Sequence, residues 1–274
     1  MTLAGLSEQA ITARLRAAGC VYAEEEARLL RAEAFTPAQL RDRVAARERG
    51  MPLEYLLGWA EFAGVRIAVQ PGVFVPRRRT EFLAAQAIAR APARGVAVDL
   101  CCGSGNIAVT LGRALPDLEV YACDIDPTAV ACARGNLAGR ATVLLGDLFD
   151  ALPRRLRGLV DVLVVNAPYV PTDEITLMPA EARIHESRVA LDGGHDGLDL
   201  QRRVAAGAAD WLTPGGYLLL ETSRLQATRS RRMVAAGGLH ARVYHDPENA
   251  GTIVAAELGR PRVPVQVPVR PVSR

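Results

Sequence analysis

The sequence predicts an α/β fold, a largely parallel sheet with helices on both faces, preceded by a small helical unit. Three observations predict it. From about residue 93 onward, short apolar strands alternate with helical patterns. The first of those strands runs into a glycine turn and then a helix, through Asp99-Leu100-Cys101-Cys102-Gly103-Ser104-Gly105-Asn106. The first 50 residues read as helices, with apolar residues at helical spacing.

The elements follow in order. Helices are expected over 6–18 and 23–34. Thr36-Pro37 supplies a capping hydroxyl and a first-turn proline, so a third helix should start there, run to about Glu48 and be stopped by Gly50. Residues 51–75 change character, with two short strands expected around Gly64 as a linking hairpin. Strands are expected next at 96–100, 119–123, 141–145, 162–165 and 217–221, with helices at 106–114 and 127–137. Residues 241–245 and 252–257 should close the sheet as a hairpin. The expected division is a helical region at 1–50, a hairpin linker at 51–75 and an α/β domain at 76–260. The proline-rich stretch 261–274 has little to bury and is expected to be disordered.

Composition narrows the function. Half of the 274 residues are apolar, enough for a full core. There is no uncharged apolar run long enough for a membrane span. The first ten residues lack the basic and apolar regions of a secretory signal, so a cytoplasmic protein is expected. All 33 basic residues are arginine, yet the formal net charge is only +3, too mild to argue for nucleic-acid binding by itself. The five cysteines form no C-x-x-C pair and read as reduced core residues, with no metal site expected.

The candidate site lies where strands end. In an open parallel sheet, the carboxyl ends of the strands line the ligand crevice. Glycines in the turn from Asp99 to Asn106 let the backbone pass close to a ligand, although an ordinary tight turn would carry them too. The third glycine of a dinucleotide fingerprint is missing, because Val109 and Thr110 follow, which argues against a pyrophosphate cofactor. An acid at the end of the first strand, Asp99, suits a cationic cofactor. Asp124, at the tip of the second strand, is placed to accept both hydroxyls of a ribose, or is only a loop acid. Asp126 precedes Pro127 and should cap the next helix. Asp147 after the third strand could accept from an adenine amino group with Leu148 against the ring, or is a solvated turn. The fourth strand ends in Asn166-Ala167-Pro168-Tyr169. An Asn side-chain oxygen and the next backbone carbonyl can accept from one NH2 group and aim its lone pair. Pro168 restricts Ala167 to extended conformations, and Tyr169 offers a flat face. An Asn-x-Pro loop with no such role would have the same letters.

Several segments beyond the turns are shared with a known family. Pro52-Leu53-Glu54-Tyr55-Leu56-Leu57-Gly58, Val75-Pro76-Arg77-Arg78-Arg79-Thr80-Glu81, the Asn166 motif, and Ala190-Leu191-Asp192-Gly193-Gly194-His195-Asp196-Gly197-Leu198 carry the resemblance. Over about residues 5–260 the chain resembles the N5-glutamine methyltransferases that modify peptide-chain release factors. The resemblance implies a class I Rossmann-like methyltransferase domain behind a helical substrate-recognition domain, with S-adenosyl-L-methionine as cofactor. It implies methylation of the glutamine amide in a Gly-Gly-Gln loop, and a peptide-chain release factor as protein partner. It places the cofactor against Asp99, Cys101, Cys102, Gly103, Ser104 and Gly105 on the first turn, Asp124 and Ile125 on the second, and Asp147, Leu148 and Asn166 beyond. It makes Asn166, Ala167, Pro168 and Tyr169 the acceptor motif.

On the substrate side it puts Thr80 and Glu81 near the active site, with Arg77 and Glu186 facing the substrate. The arginine run 77–79 would otherwise be a solvated helix start. Four departures stand out. Ala167 replaces the second residue of Asn-Pro-Pro-Tyr, Arg78 replaces a proline, Ser187 follows Glu186 where the family often has Glu-Pro, and Thr252 stands about where the family usually has an arginine in the last hairpin. Other readings are an N-methyltransferase for a nucleic-acid base, not favoured by the charge, or for a small peptide or natural product. A binding module without catalysis is the non-enzymatic alternative. The chain is expected to act as a monomer.

Overall fold

A computed structural model of the chain describes residues 7–260. Helices α1 (Glu8–Ala17), α2 (Ala23–Ala32) and α3 (Pro37–Glu48) bury Ile11, Leu15, Ala27, Leu30 and Val44 in a core of their own. Thr36 caps α3 by accepting from the Gln39 N–H at 3.1 Å, as its sequence predicts. At the other end Arg49 closes the helix and Gly50 takes φ +88°. Arg47 of α3 grips Glu26 of α2 with two donors, at 2.6 and 3.0 Å. Its remaining nitrogen reaches the Met51 carbonyl and, at 3.2 Å, Glu181, so the helical region is tied to a distant loop.

Helix α4 (Leu53–Leu57) precedes the hairpin β1 (Trp59–Phe62) and β2 (Val65–Ala68). The hairpin is where the pattern put it, but the helix before it was not foreseen. Helix α5 (Thr80–Ile88) leads into the main sheet. There β3 (Gly95–Leu100), α6 (Asn106–Ala114), β4 (Leu118–Asp124), α7 (Pro127–Leu137), β5 (Thr142–Leu145) and β6 (Val160–Val165) match the expected alternation. Asp126 caps α7, accepting from the Thr128 N–H at 2.8 Å. After β6 come α8 (Ala180–His185), α9 (Asp199–Trp211), β7 (Leu212–Glu221), α10 (Ala227–Ala236), β8 (Leu239–His245) and β9 (Thr252–Leu258).

The seven strands lie in the order β5-β4-β3-β6-β7-β9-β8. All neighbours are parallel except β9, which runs antiparallel to both β7 and β8. Alternation along each strand sends successive side chains to opposite faces. Val98, Leu100, Leu163 and Val165 pack with Val204, Trp211 and Val234 of α9 and α10. Ala97, Val162 and Val164 pack with α5, α6 and α7 through Leu83, Leu111 and Ala133.

Helices α5, α8, α9 and α10 are additions to the sequence reading, and β7 starts five residues earlier than expected. The expected disorder of 261–274 lies outside the described residues. No helix among the described residues is long and apolar enough to cross a membrane.

Candidate active site

The chain builds β3, β4 and β5 toward one edge, then returns to place β6 on the other side of β3. At this reversal the loops leaving β3 and β6 separate and open a crevice. A cavity of about 940 Å³ lies there, within the size range of small-molecule sites.

Its floor is the glycine turn. Cys101, Gly103 and Gly105 take φ of +58°, +54° and +77°. A left-handed non-glycine residue costs on the order of 1 kcal/mol, and Cys101 is held there by its neighbours. The Cys102 N–H donates to the Cys123 carbonyl at 3.0 Å, and the Gly105 N–H to the Cys102 carbonyl at 2.7 Å. Burial raises the Cys101 and Cys102 thiols well above their usual range, so both remain neutral.

Asp124 lines the cavity at the end of β4. Its carboxylate accepts from the Gly103 N–H at 2.9 Å and the Asp126 N–H at 3.0 Å. Burial pushes this carboxyl up, while those two N–H groups pull it back. Ile125 is 52% exposed beside it, and Leu148 takes φ +48° in the same wall. An exposed isoleucine and a strained leucine on one cavity suit the faces of a flat ring. Asp147 also lines the cavity, but its carboxylate is paired with Arg203 of α9 at 2.8 Å. At Asp147, read either as an acceptor for adenine or as a solvated turn, the carboxylate lies on the cavity, partly exposed and held in an ion pair. Nothing local in the sequence links the two residues.

Asp99, Ser104 and Gly105, expected at the cofactor, are not among the residues that line the cavity. Asp99 points to the α6 face and accepts from the Ala108 N–H at 3.1 Å. Burial pushes its carboxyl to about 8. The Ser104 hydroxyl is turned to the Asn106 side chain at 3.4 Å. A side chain at Gly105 would meet Ala133 of α7 at 3.1 Å, so this glycine serves helix packing. All three shape the turn from behind.

Asn166, Ala167, Pro168 and Tyr169 line the opposite side of the cavity. Among the described residues, no protein group hydrogen-bonds the Asn166 side chain, whereas Tyr169 is held at two points. Its carbonyl accepts from Gln226 at 2.9 Å, and its hydroxyl donates to Glu221 at 3.3 Å. Burial, with Glu221 beside it, pushes the phenol to about 12.

Behind the motif lies the segment 190–197. Val170 and Gly193 exchange backbone hydrogen bonds with it and across it, Val170 N–H to Leu191 at 3.2 Å and Gly193 N–H to Val170 at 2.8 Å. A Cβ on Gly193 would come within 2.8 Å of the Pro168 carbonyl oxygen, and one on Gly197 within 2.4 Å of the Tyr169 carbonyl oxygen. The two glycines therefore let this segment press directly on the acceptor loop.

Of the substrate-side residues, Arg77 and Thr80 line the cavity. Glu186 does not. It is buried, and accepts from Arg77 at 2.5 Å and from the Val75 N–H at 3.3 Å. Glu81 faces away, accepting from Ala63 on the hairpin at 3.0 Å. Neither is in contact with the cavity as expected. A helix does start at the arginine run, with Arg79 at the N-cap of α5 and Arg78 and Arg79 exposed, but Arg77 and Arg79 are also each paired with a buried carboxylate, Glu186 and Glu221. Glu221, Gln226 and Arg203 went unnoticed in the sequence. The available signal for Glu221 was an acid closing an apolar strand, as Asp99 and Asp124 do.

The strand order, the crevice and the turn chemistry define a class I, Rossmann-like methyltransferase fold. A family model described as methyltransferase small domain matches residues 64–197. A methyltransferase from Pyrococcus furiosus superposes with a TM-score of 0.52 at 16% identity, over 81% of this chain and 97% of that one. The release factor glutamine methyltransferase of Geobacter sulfurreducens is 36% identical over 226 residues, covering 81% of this chain and 78% of the relative. That of Mycolicibacterium smegmatis is 36% identical over 283 residues, 96% of each. A 4-amino-L-phenylalanine/4-methylamino-L-phenylalanine methyltransferase of Streptomyces pristinaespiralis is 38% identical over 213 residues, 74% of this chain and 72% of the relative. The chain belongs to the release factor glutamine methyltransferase family.

Proposed function

We propose that this chain transfers a methyl group from S-adenosylmethionine to the glutamine amide nitrogen in the Gly-Gly-Gln loop of a peptide-chain release factor. The observation that carries the reading is Asn166 just past the end of β6, its side chain without a hydrogen-bond partner among the described residues, on one cavity with Asp124 and Leu148. Family membership and the names of its relatives support the substrate.

When bound, S-adenosylmethionine supplies an electrophilic methyl on a cationic sulfur and retains the electron pair as that methyl leaves. Asp124 would accept the ribose hydroxyls, and Ile125 and Leu148 would offer apolar contact to the adenine. Asp147 accepts from the adenine amino group while sharing its charge with Arg203. Asn166 and the Ala167 carbonyl accept the two N–H bonds of the acceptor amide and turn its nitrogen toward the methyl. Positioning is the main effect, because the nitrogen sheds its proton to water after transfer. Tyr169 forms the flat wall beside the amide plane.

A second acceptor class is favoured by one observation, the 38% identity to a relative named for an aryl amine. A single assay separates the readings. The chain is incubated with methyl-labelled cofactor and, separately, release factor, 4-amino-L-phenylalanine, total RNA and DNA. Label should enter release factor and vanish when its loop glutamine is replaced. Label entering only the small amine, or only nucleic acid, overturns the proposal.

Ala167 lies between Asn166 and Pro168, which already holds it extended. Ala167→Pro, the family's residue, should stabilise the chain by about 0.4–1 kcal/mol by restricting the unfolded state. Thermal unfolding reads this directly. A loss of stability would mean the loop backbone at 167 is not compatible with proline.

A further inference from the structure

Glu221 ends β7 and is 2% exposed, yet it does not line the cavity. A buried carboxylate is costly unless paired and hydrogen-bonded. Two groups from the cavity wall turn back to meet it. The Tyr169 hydroxyl donates to its Oε1 at 3.3 Å, and Arg79 Nε to the same atom at 3.4 Å. The Arg79 guanidinium also stands over the Tyr169 ring, 6.0 Å from its centre. Both partners belong to the cavity, and Glu221 is the point at which they converge.

The strand end that carries Glu221 is itself anchored. Its carbonyl accepts from Gln201 of α9 at 3.4 Å. Ser230 of α10 donates to Gln201 at 2.6 Å and shares a hydrogen bond of 2.9 Å with Thr222. Five residues past Glu221, Gln226 holds the Tyr169 carbonyl. The turn from β7 to α10 thus grips Tyr169 by its backbone and by its hydroxyl, from a base locked to two helices. A residue whose side-chain hydroxyl and main-chain carbonyl are both held has little freedom to swing, which is what an acceptor wall requires.

We propose that Glu221 is a positioning residue for methyl transfer, acting through Tyr169, with Arg79 as its counter-ion. The inference rests on the methyl-transfer reading above. Glu221 sets where the ring of Tyr169 stands, and so how the acceptor nitrogen meets the methyl group. It touches neither reactant itself.

The test is a double-mutant cycle on the full chain with release factor as acceptor. Glu221→Ala should lower kcat/KM for release factor by about 10- to 100-fold, the size expected when an orienting buried hydrogen bond is lost. The S-adenosylmethionine Kd, measured by calorimetry, should move by less than about twofold. Glu221→Gln keeps an oxygen for the Tyr169 hydroxyl and should recover most of the loss. In Tyr169→Phe the hydroxyl is already absent, so adding Glu221→Ala should cost little more.

Losses that multiply, or a cofactor Kd that rises as activity falls, would show a structural effect and overturn the proposal. A second readout does not depend on turnover. With ¹³C-labelled tyrosine, the ring signal that disappears in Tyr169→Phe should shift in Glu221→Ala and return toward its original place in Glu221→Gln. An unmoved signal overturns the positioning role even where release factor is not the acceptor. Failure of the methyl-transfer reading would show differently, as no label transferred by the unaltered chain.

Discussion

Asn166→Ala should lower kcat by about 10²- to 10³-fold, the loss seen when one preorganised polar group at a reacting centre is removed. The Kd for S-adenosylmethionine should stay close to that of the unaltered chain. The asymmetry follows from geometry. Asn166 shares the cavity with Asp124 and Leu148, and among the described residues no group is hydrogen-bonded to its side chain, so its removal leaves no such partner stranded. What is lost is one of two acceptors for the incoming amide, and with it the direction of the nitrogen lone pair. Single-turnover transfer at saturating cofactor reads the chemical step, and calorimetry reads binding. Equal loss in both would place Asn166 in the cofactor pocket rather than at the acceptor.

Asp124→Asn should show the opposite pattern, raising the cofactor Kd by about 10- to 100-fold with kcat at saturation little changed. Alanine would be a poor probe, because it also strands the Gly103 and Asp126 N–H groups that the carboxylate accepts. Asparagine keeps one oxygen for the turn but cannot take both ribose hydroxyls as a charged acceptor. A hydrogen bond to a charged group contributes about 1.5–3 kcal/mol, and about 1.4 kcal/mol is tenfold in Kd. Titration calorimetry of the purified variant measures it. An unchanged Kd would mean that Asp124 only organises the turn.

Much of the sheet was legible because its strands are short apolar runs ended by glycine or acid, and two of its helices start at recognisable caps. The helices that escaped did so for physical reasons. Helix α5 reads Thr-Glu-Phe-Leu-Ala-Ala-Gln-Ala-Ile, apolar on most sides, so it shows no stripe to recognise. Helix α9 carries Gly207 at its middle, a residue that lowers helix propensity. That glycine is there for space, since a Cβ would come within 2.7 Å of the Phe149 ring, which stacks on Trp211 at 5.7 Å.

The site divides in the same way. Asp124 and Asn166 were readable because each ends a strand in a local motif. The Asp147–Arg203 and Glu221–Tyr169 pairs join residues 56 and 52 positions apart, and only the folded sheet brings them together. Asp99 and Glu81 were assigned to the cavity by motif, but a motif does not say toward which face a side chain turns.

The press of Gly193 and Gly197 on the backbone of Pro168 and Tyr169 bears on how such a chain can diverge. Any larger residue there collides with main-chain atoms. The cavity is lined elsewhere by Phe74, Met178 and Val189, apolar side chains that could change in size without meeting that loop's backbone. A different acceptor would be accommodated by resurfacing those positions, while the nitrogen-facing loop and its backing stay as they are.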